Sequence, residues 1–211
     1  MNEQNVIGFW GWVLIVLGAL IAAYLINNAA HYRRNKRFAP KEPVINQTAG
    51  DMRKLRFGFF KSSFNGCGWV AIYNALRLMG KDPSAGKLIA ELEWTGAMLF
   101  GILGTWPYSV AHYFRLRGYK VRVTYRAEKY DEKAKESEVN IIWFFHKKGA
   151  HFVTLKWYGE RFEGYNTYSN SITRDSWGDS IEGLLRYRNY RPVMLISVSE
   201  RKKRGNGGDP R

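Results

Sequence analysis

Asn65-Gly66-Cys67-Gly68-Trp69 opens the stretch whose reading decides the fold, and the run from Val70 through Leu78 and Met79 to Gly80 completes it. Trp69 to Met79 reads as a helix, because Ala71, Asn74, Ala75 and Leu78 fall on one face at a 3.6-residue period. Asn65 or Gly66 is the expected N-cap and Gly80 the C-terminal stop. The helix begins at the only cysteine of the chain. Unpaired N–H groups and the positive end of the helix dipole favour a thiolate there, so Cys67 is expected to be reactive near neutral pH. The flanking glycines are expected to let a substrate backbone approach. A lone cysteine is more often a buried, inert side chain; partners downstream argue for the nucleophile.

The chain has 211 residues, four histidines and a formal net charge of +15. One cysteine excludes an intrachain disulfide and a cysteine-rich zinc site, and it gives no sign of an oxidising compartment. The positive charge suits an anionic lipid surface or a solvated basic exterior. Basic and aromatic residues interleave from Arg186 to Arg191, but no nucleic-acid motif accompanies them, and no nucleic acid is expected as a partner.

From Val6 to Ile26 the chain carries no charged residue. About 21 residues at 1.5 Å each span a hydrocarbon core of roughly 30 Å. Trp10, Trp12 and Tyr24 lie where interfacial aromatics sit. A secretory signal would have a basic start and a shorter apolar core, whereas this chain starts Met1-Asn2-Glu3. Arg33, Arg34, Lys36 and Arg37 follow, so the positive-inside rule predicts a single-pass membrane protein with its main domain facing the cytoplasm. Residues 1–37 therefore read as an anchor with a basic juxtamembrane segment. Residues 38–51, with Pro40, Pro43 and Gly50, read as a linker, residues 52–199 as one domain, and residues 200–211 as a disordered basic tail.

Within the domain a second helix is expected from Asp82-Pro83 to Trp94. An apolar, glycine-punctuated loop follows from Gly96 to Gly104, expected either to touch the bilayer or a substrate leader or to pack within the helical layer. Thr105 is the expected cap of a third helix ending at Gly118. Strands are predicted at 119–125, 140–146, 151–157, 160–166 and 192–198, with a charged, exposed connection or short helix at 127–138 and a helix at 181–187. Helices first and strands later argue α+β: a helical layer packed on a mostly antiparallel sheet.

A cysteine nucleophile needs a histidine base, and the base needs an orienting group. His151 begins a strand after small residues. A turn centred between Tyr158 and Gly159 pairs Trp157 with Glu160, Leu155 with Phe162 and His151 with Asn166; alternate residues share a face, so Val153, Leu155 and Phe162 form an apolar floor beside the His151–Asn166 pair. His31 sits at the membrane edge, His112 mid-helix, and His146 at a strand end beside Lys147. Alone, His151 reads as a strand histidine and Asn166 as a turn residue; together with Cys67 they read as a triad.

Gly66-Cys67-Gly68 opening a helix, Gly104-Thr105 before a later helix, Gly118-Tyr119 ending it, then His151 and Asn166 resemble the bacteriocin-processing, double-glycine-leader cysteine peptidases and their wider relatives. The resemblance covers about residues 61–166. It implies a papain-like fold, Cys67 as nucleophile, His151 as base, Asn166 as orienter, and neither cofactor nor metal. The family usually has an oxyanion glutamine six positions before the cysteine; here that position is Lys61. Lys61, Ser62, Ser63 and Asn65 are the candidates to replace it. Exporter-linked members sit on a transporter with an ATPase, whereas this chain has one span and no phosphate-binding loop. The expected function is a membrane-anchored cysteine peptidase cleaving a peptide precursor through a thioester acyl-enzyme, with a separate exporter as a further partner. The same acyl-enzyme would also serve acyl transfer. The alternative is an inactive, peptide-binding adaptor at a membrane complex, which the missing glutamine favours.

Overall fold

The computed structural model describes residues 3–147, 149–167, 176–186 and 190–201. Nearly all of the tail expected at 200–211 lies outside these residues, as does the middle of the Arg186 to Arg191 run.

The long apolar run forms α1 (Glu3–Arg37), a single helix that continues well past the charge-free segment. Among the described residues, α1 is the one helix long and apolar enough to cross a membrane. From Phe9 to Ile21 its large apolar side chains are exposed. Beyond that point the helix changes character. Tyr24, Asn28 and Asn35 are buried and His31 partly so; they recur every three or four residues and so form one stripe. The stripe docks on α4 (Ala85–Thr95) and on the β1 (Arg56–Phe57) segment. Tyr24 Oη donates to the Glu93 carbonyl (2.8 Å), Asn27 Nδ2 to Gly58 O (3.0 Å), and Asn35 exchanges two hydrogen bonds with the backbone of Arg56.

Glu93 lies under this junction, where its carboxylate accepts from the Gly58 N–H at 2.8 Å. Burial pushes its pKa up to about 7. A carboxyl raised in the folded state stabilises the fold below its unfolded pKa and loses that contribution as pH rises through the folded value. The thermal midpoint of the full chain is therefore expected to fall between about pH 5 and pH 8, and Glu93→Gln to flatten that slope. An unchanged slope in the variant would assign the effect to another group.

Residues 38–51, expected as a linker, carry no regular structure until the 3-10 turn Gly50–Lys54, yet they are packed against the domain. Tyr73 Oη donates to Pro40 O, and the buried carboxamide of Asn74 binds both the N–H and the C=O of Val44. A short strand β2 (Phe60–Lys61) and the turn of helix α2 (Ser62–Asn65) lead into α3 (Cys67–Leu78). Gly66 is the N-cap, as one of the two expected residues. α3 is buried nearly all round from Gly68 to Leu76, so it is the central helix and not a one-faced one. α5 (Pro107–Leu116) starts one residue beyond the expected cap: Trp106 is its N-cap and makes no side-chain cap, and Thr105 is instead buried.

The sheet has six antiparallel strands in the order β3-β8-β4-β5-β6-β7. These are β3 (Lys120–Thr124), β4 (Val139–His146), β5 (Gly149–Trp157), β6 (Phe162–Tyr165), β7 (Trp177–Gly178) and β8 (Arg191–Ser199). One face, with Ile141, Phe152, Ile196 and Val198, packs on α3, α4 and α5. The other, with Ile142, Phe144, Val153, Leu155 and Leu195, is covered by α6 (Tyr130–Lys135) and α7 (Ile181–Leu185). The fold is thus α+β, as expected, with a second, smaller helical cover on the far face; its α6, with buried Tyr130 and Ala134, is the short helix among the two readings of 127–138.

Candidate active site

The Cys67 loop is held by packing. A Cβ on Gly66 would stand 2.1 Å from Ser62 Oγ and 2.6 Å from Ser62 O; one on Gly68 would stand 2.3 Å from Thr105 Cβ. The flanking glycines therefore let the chain pack on itself, a role beside the substrate approach expected of them. Trp69 Nε1 donates to Ser62 Oγ at 2.6 Å and closes the same knot from inside.

Cys67 sits at the first position of α3, half-buried, where the main-chain N–H groups of Phe152, Cys67 itself and Gly68 act to lower the pKa of its thiol. Those donors favour the thiolate, as a helix start should. Burial outweighs them, however, and pushes the thiol up to about 11. This runs against the thiolate expected near neutral pH, because taking the charged form out of water disfavours it.

Cys67 packs on the cluster that holds Phe152, which places it against the α3-facing side of β5. β6 pairs with β5 only from Trp157↔Phe162 to Thr154↔Tyr165, so the first residues of β5 have an edge that β6 leaves uncovered. The register differs from the expected one by two residues: Trp157 meets Phe162, not Glu160, and Leu155 meets Gly164. The reason is the turn. Tyr158 N donates to Arg161 O and Gly159 takes φ +91°, so the loop is longer and its centre moves one residue along the chain. A shift of two preserves which residues share a face. His151 and Asn166 therefore still come together, although by a different contact.

At Asn166 the backbone takes φ 64° and leaves the ladder. This turns its carbonyl to His151, whose Nε2 lies 2.8 Å away. A carbonyl only accepts, so Nε2 carries the proton in the neutral imidazole and Nδ1 is the basic nitrogen. The Asn166 carboxamide, fully buried, faces elsewhere: its Nδ2 donates to Gln47 Oε1 (2.7 Å) and its Oδ1 accepts from the Gln47 N–H (3.0 Å). Gln47 Nε2 reaches on to Ser63 O at 3.2 Å and Ser62 O at 3.4 Å. One buried carboxamide thus ties the end of β6 to the turn before Cys67. Sequence reading missed Gln47 because it lies in an aperiodic stretch, where only its neighbour Val44 hinted at burial.

By alternation Phe152 and Thr154 face α3, and Thr154 Oγ1 donates to Ala71 O at 3.0 Å. His151 stands with Val153 on the opposite side, edge-on to Phe144 (5.9 Å) and His146 (6.2 Å). A groove of about 780 Å³ opens beside that His146 ring, lined also by Phe145, Glu182, Arg186 and Tyr190.

The four oxyanion candidates separate by environment. Ser62 is buried, with its hydroxyl accepting from Trp69. Asn65 is buried and spends Nδ2 on the carbonyls of Phe57 and Gly101, while its Oδ1 has no partner. Ser63 is half-buried and Lys61 exposed, so these two retain access to solvent.

Two solved peptidase domains have a similar fold. One is the peptidase domain of Streptococcus ComA, a bi-functional ABC transporter involved in a quorum sensing pathway: TM-score 0.48, 12% identity, 65% of this chain and 93% of that one. The other is a double glycine motif protease from an AMS/PCAT transporter, in complex with the leader peptide: TM-score 0.47, 14% identity, 75% of this chain and 91% of that one. No protein-family model and no curated protein sequence matches the chain.

Proposed function

We propose that the protein is a membrane-anchored cysteine peptidase. The observation that carries this reading is the His151 Nε2–H bond to Asn166 O, which makes Nδ1 the basic nitrogen of the ring on the strand against which α3 packs; the reading requires that ring to reach Cys67 round the start of β5. With a thiol raised to about 11, His151 acts as a true general base and not as the partner of a preformed ion pair. The sulfur attacks a peptide carbonyl carbon as its proton passes to Nδ1. The oxyanion is held by the Cys67 N–H with a donor from Lys61 or Ser63. His151 then protonates the leaving amine, and water, deprotonated by the same nitrogen, releases the acyl group. The groove beside His146 offers a peptide a mixed aromatic and basic wall. α1 supports an anchor over a cleaved leader, because its second half is docked into the domain.

The raised thiol pKa also favours the second reading, a peptide-binding adaptor without turnover. Mass spectrometry after treatment with an acyloxymethyl ketone peptidase probe separates the two. Covalent labelling at Cys67 that disappears in His151→Ala is expected for the peptidase. Iodoacetamide should in either case alkylate Cys67 more slowly than a simple thiol at pH 7, with the rate climbing towards about pH 11. A probe that leaves Cys67 unmodified at any pH would support the adaptor.

Asn166 orients His151 through its carbonyl in this reading, so its side chain matters only through Gln47. Asn166→Gly keeps the carbonyl and tolerates the positive φ. Asn166→Asp keeps the acceptor for the Gln47 N–H but sets its second oxygen against Gln47 Oε1, a buried clash costing about tenfold or more in activity. Asp is therefore expected to fall below Gly in kcat, with Gln47→Ala near Gly. The reverse order would make the carboxamide itself the orienter.

A further inference from the structure

Tyr24 marks where α1 passes from full exposure to burial. From residue 6 to that point the helix rises about 27 Å, close to one hydrocarbon thickness of roughly 30 Å. Tyr24 thus stands at the inner boundary of a bilayer that α1 crosses, and whatever packs on Tyr24 stands there too. Two rings do. Phe100 meets it at 5.0 Å and Phe59 at 5.4 Å, both edge-on.

These rings belong to two loops that also carry exposed apolar side chains. Leu99 is 63% exposed and Leu103 59%, with Ile102 and Phe60 also exposed and Phe64 of α2 exposed beside Phe60. Leu99 and Phe100 hold this display at a cost: both have left-handed backbones, φ 46° and 56°, which non-glycine residues seldom adopt. Lys61 beside Phe60 is exposed and suits anionic headgroups. The same loops are bonded to the Cys67 turn, because Asn65 Nδ2 donates to Phe57 O and to Gly101 O.

We propose that the 59–60 turn and the 98–103 loop form a bilayer-contacting rim that holds the Cys67 site at the membrane surface. The peptide it acts on would lie along that surface or emerge from it. Bilayer is favoured over a second copy or a soluble peptide because the rim is continuous, through Tyr24, with the helix that spans. The inference rests on the membrane-anchored reading, and the experiment separates the two failures.

The full chain with Cys67→Ser receives one new cysteine at Val16, Leu99, Leu103 or Lys120, labelled with an environment-sensitive fluorophore. It is reconstituted at about one chain per vesicle in phosphatidylcholine and phosphatidylglycerol containing shallow or deep doxyl-labelled lipid. The label at Val16 is expected to be quenched by the deep probe. Labels at Leu99 and Leu103 should be quenched several-fold more by the shallow probe than one at Lys120, an exposed residue of β3. Equal quenching at Leu99 and Lys120 with Val16 deep overturns the rim and leaves the anchor; an unquenched Val16 overturns the anchor and the rim with it. In the chain with native Cys67, a maleimide on a lipid headgroup should label Cys67 several-fold faster than the same maleimide on a soluble carrier, and Leu99→Glu should cancel that advantage. No preference for the lipid-borne reagent would place the site away from the surface.

Discussion

If the proposed peptidase reading holds, replacing His151 with alanine is expected to lower peptide turnover by on the order of 10³–10⁴-fold, and Cys67→Ala to remove it. The size of the first effect follows from the thiol. A cysteine already ionised at pH 7 retains part of its reactivity when its histidine is lost. One pushed up to about 11 has almost no thiolate at that pH and depends on the base to take its proton. The pH profile carries the same information. The wild-type rate should rise with deprotonation of His151 and stay level above it, whereas the residual rate of His151→Ala should climb tenfold per pH unit towards 11. The measurement is cleavage of a peptide library by the detergent-solubilised full chain, read by mass spectrometry. A His151→Ala protein that retains wild-type turnover, or a residual rate independent of pH, would remove His151 from the mechanism.

Gly66→Ala is expected to cost stability before it costs chemistry. The new methyl would stand 2.1 Å from Ser62 Oγ, 2.5 Å from Trp69 Nε1 and 2.6 Å from Ser62 O. The serine hydroxyl can turn away, but the carbonyl is backbone and the indole is buried at 0% exposure, so the turn itself must shift. Overpacking of this kind costs about 1–3 kcal/mol, which lowers the thermal midpoint by roughly 2–12 °C for a chain of this size. Gly18→Ala in α1, where the added atom meets nothing within 4 Å, is the matched control and should leave the midpoint unchanged. The outcome also decides what the glycines are for. A normal midpoint with lost turnover in Gly66→Ala would support the substrate-approach role read from the sequence.

The elements themselves were legible in the chain because their patterns are local. The periodic run after Cys67, the alternating Val121 and Val123, and the unbroken apolar residues of the first helix each state their own structure, and the order of helices before strands states the class. The parity of the hairpin was legible too, since side chains alternate whatever the turn. That is why His151 and Asn166 share an end of β5 and β6 even though the register moved by two residues.

What tertiary structure alone decided are the contacts between segments far apart in sequence. Gln47 and Asn166 are 119 residues apart and exchange two hydrogen bonds, and nothing in an aperiodic stretch announces such a partner. The polarity of the Asn166 contact, carbonyl in place of carboxamide, depends on one backbone angle. The Cys67 pKa depends on how much water the packed helix excludes, which outweighs the dipole that sequence position alone supplies. The stripe of Tyr24, Asn28 and Asn35 was visible in principle at helical spacing, but only the docked α4 turns it from an oddity in an apolar helix into the joint that sets the domain against α1. Local composition states which element a segment becomes; a buried charge, a bent carbonyl or a shared interface is the sum over neighbours that the chain brings together only on folding.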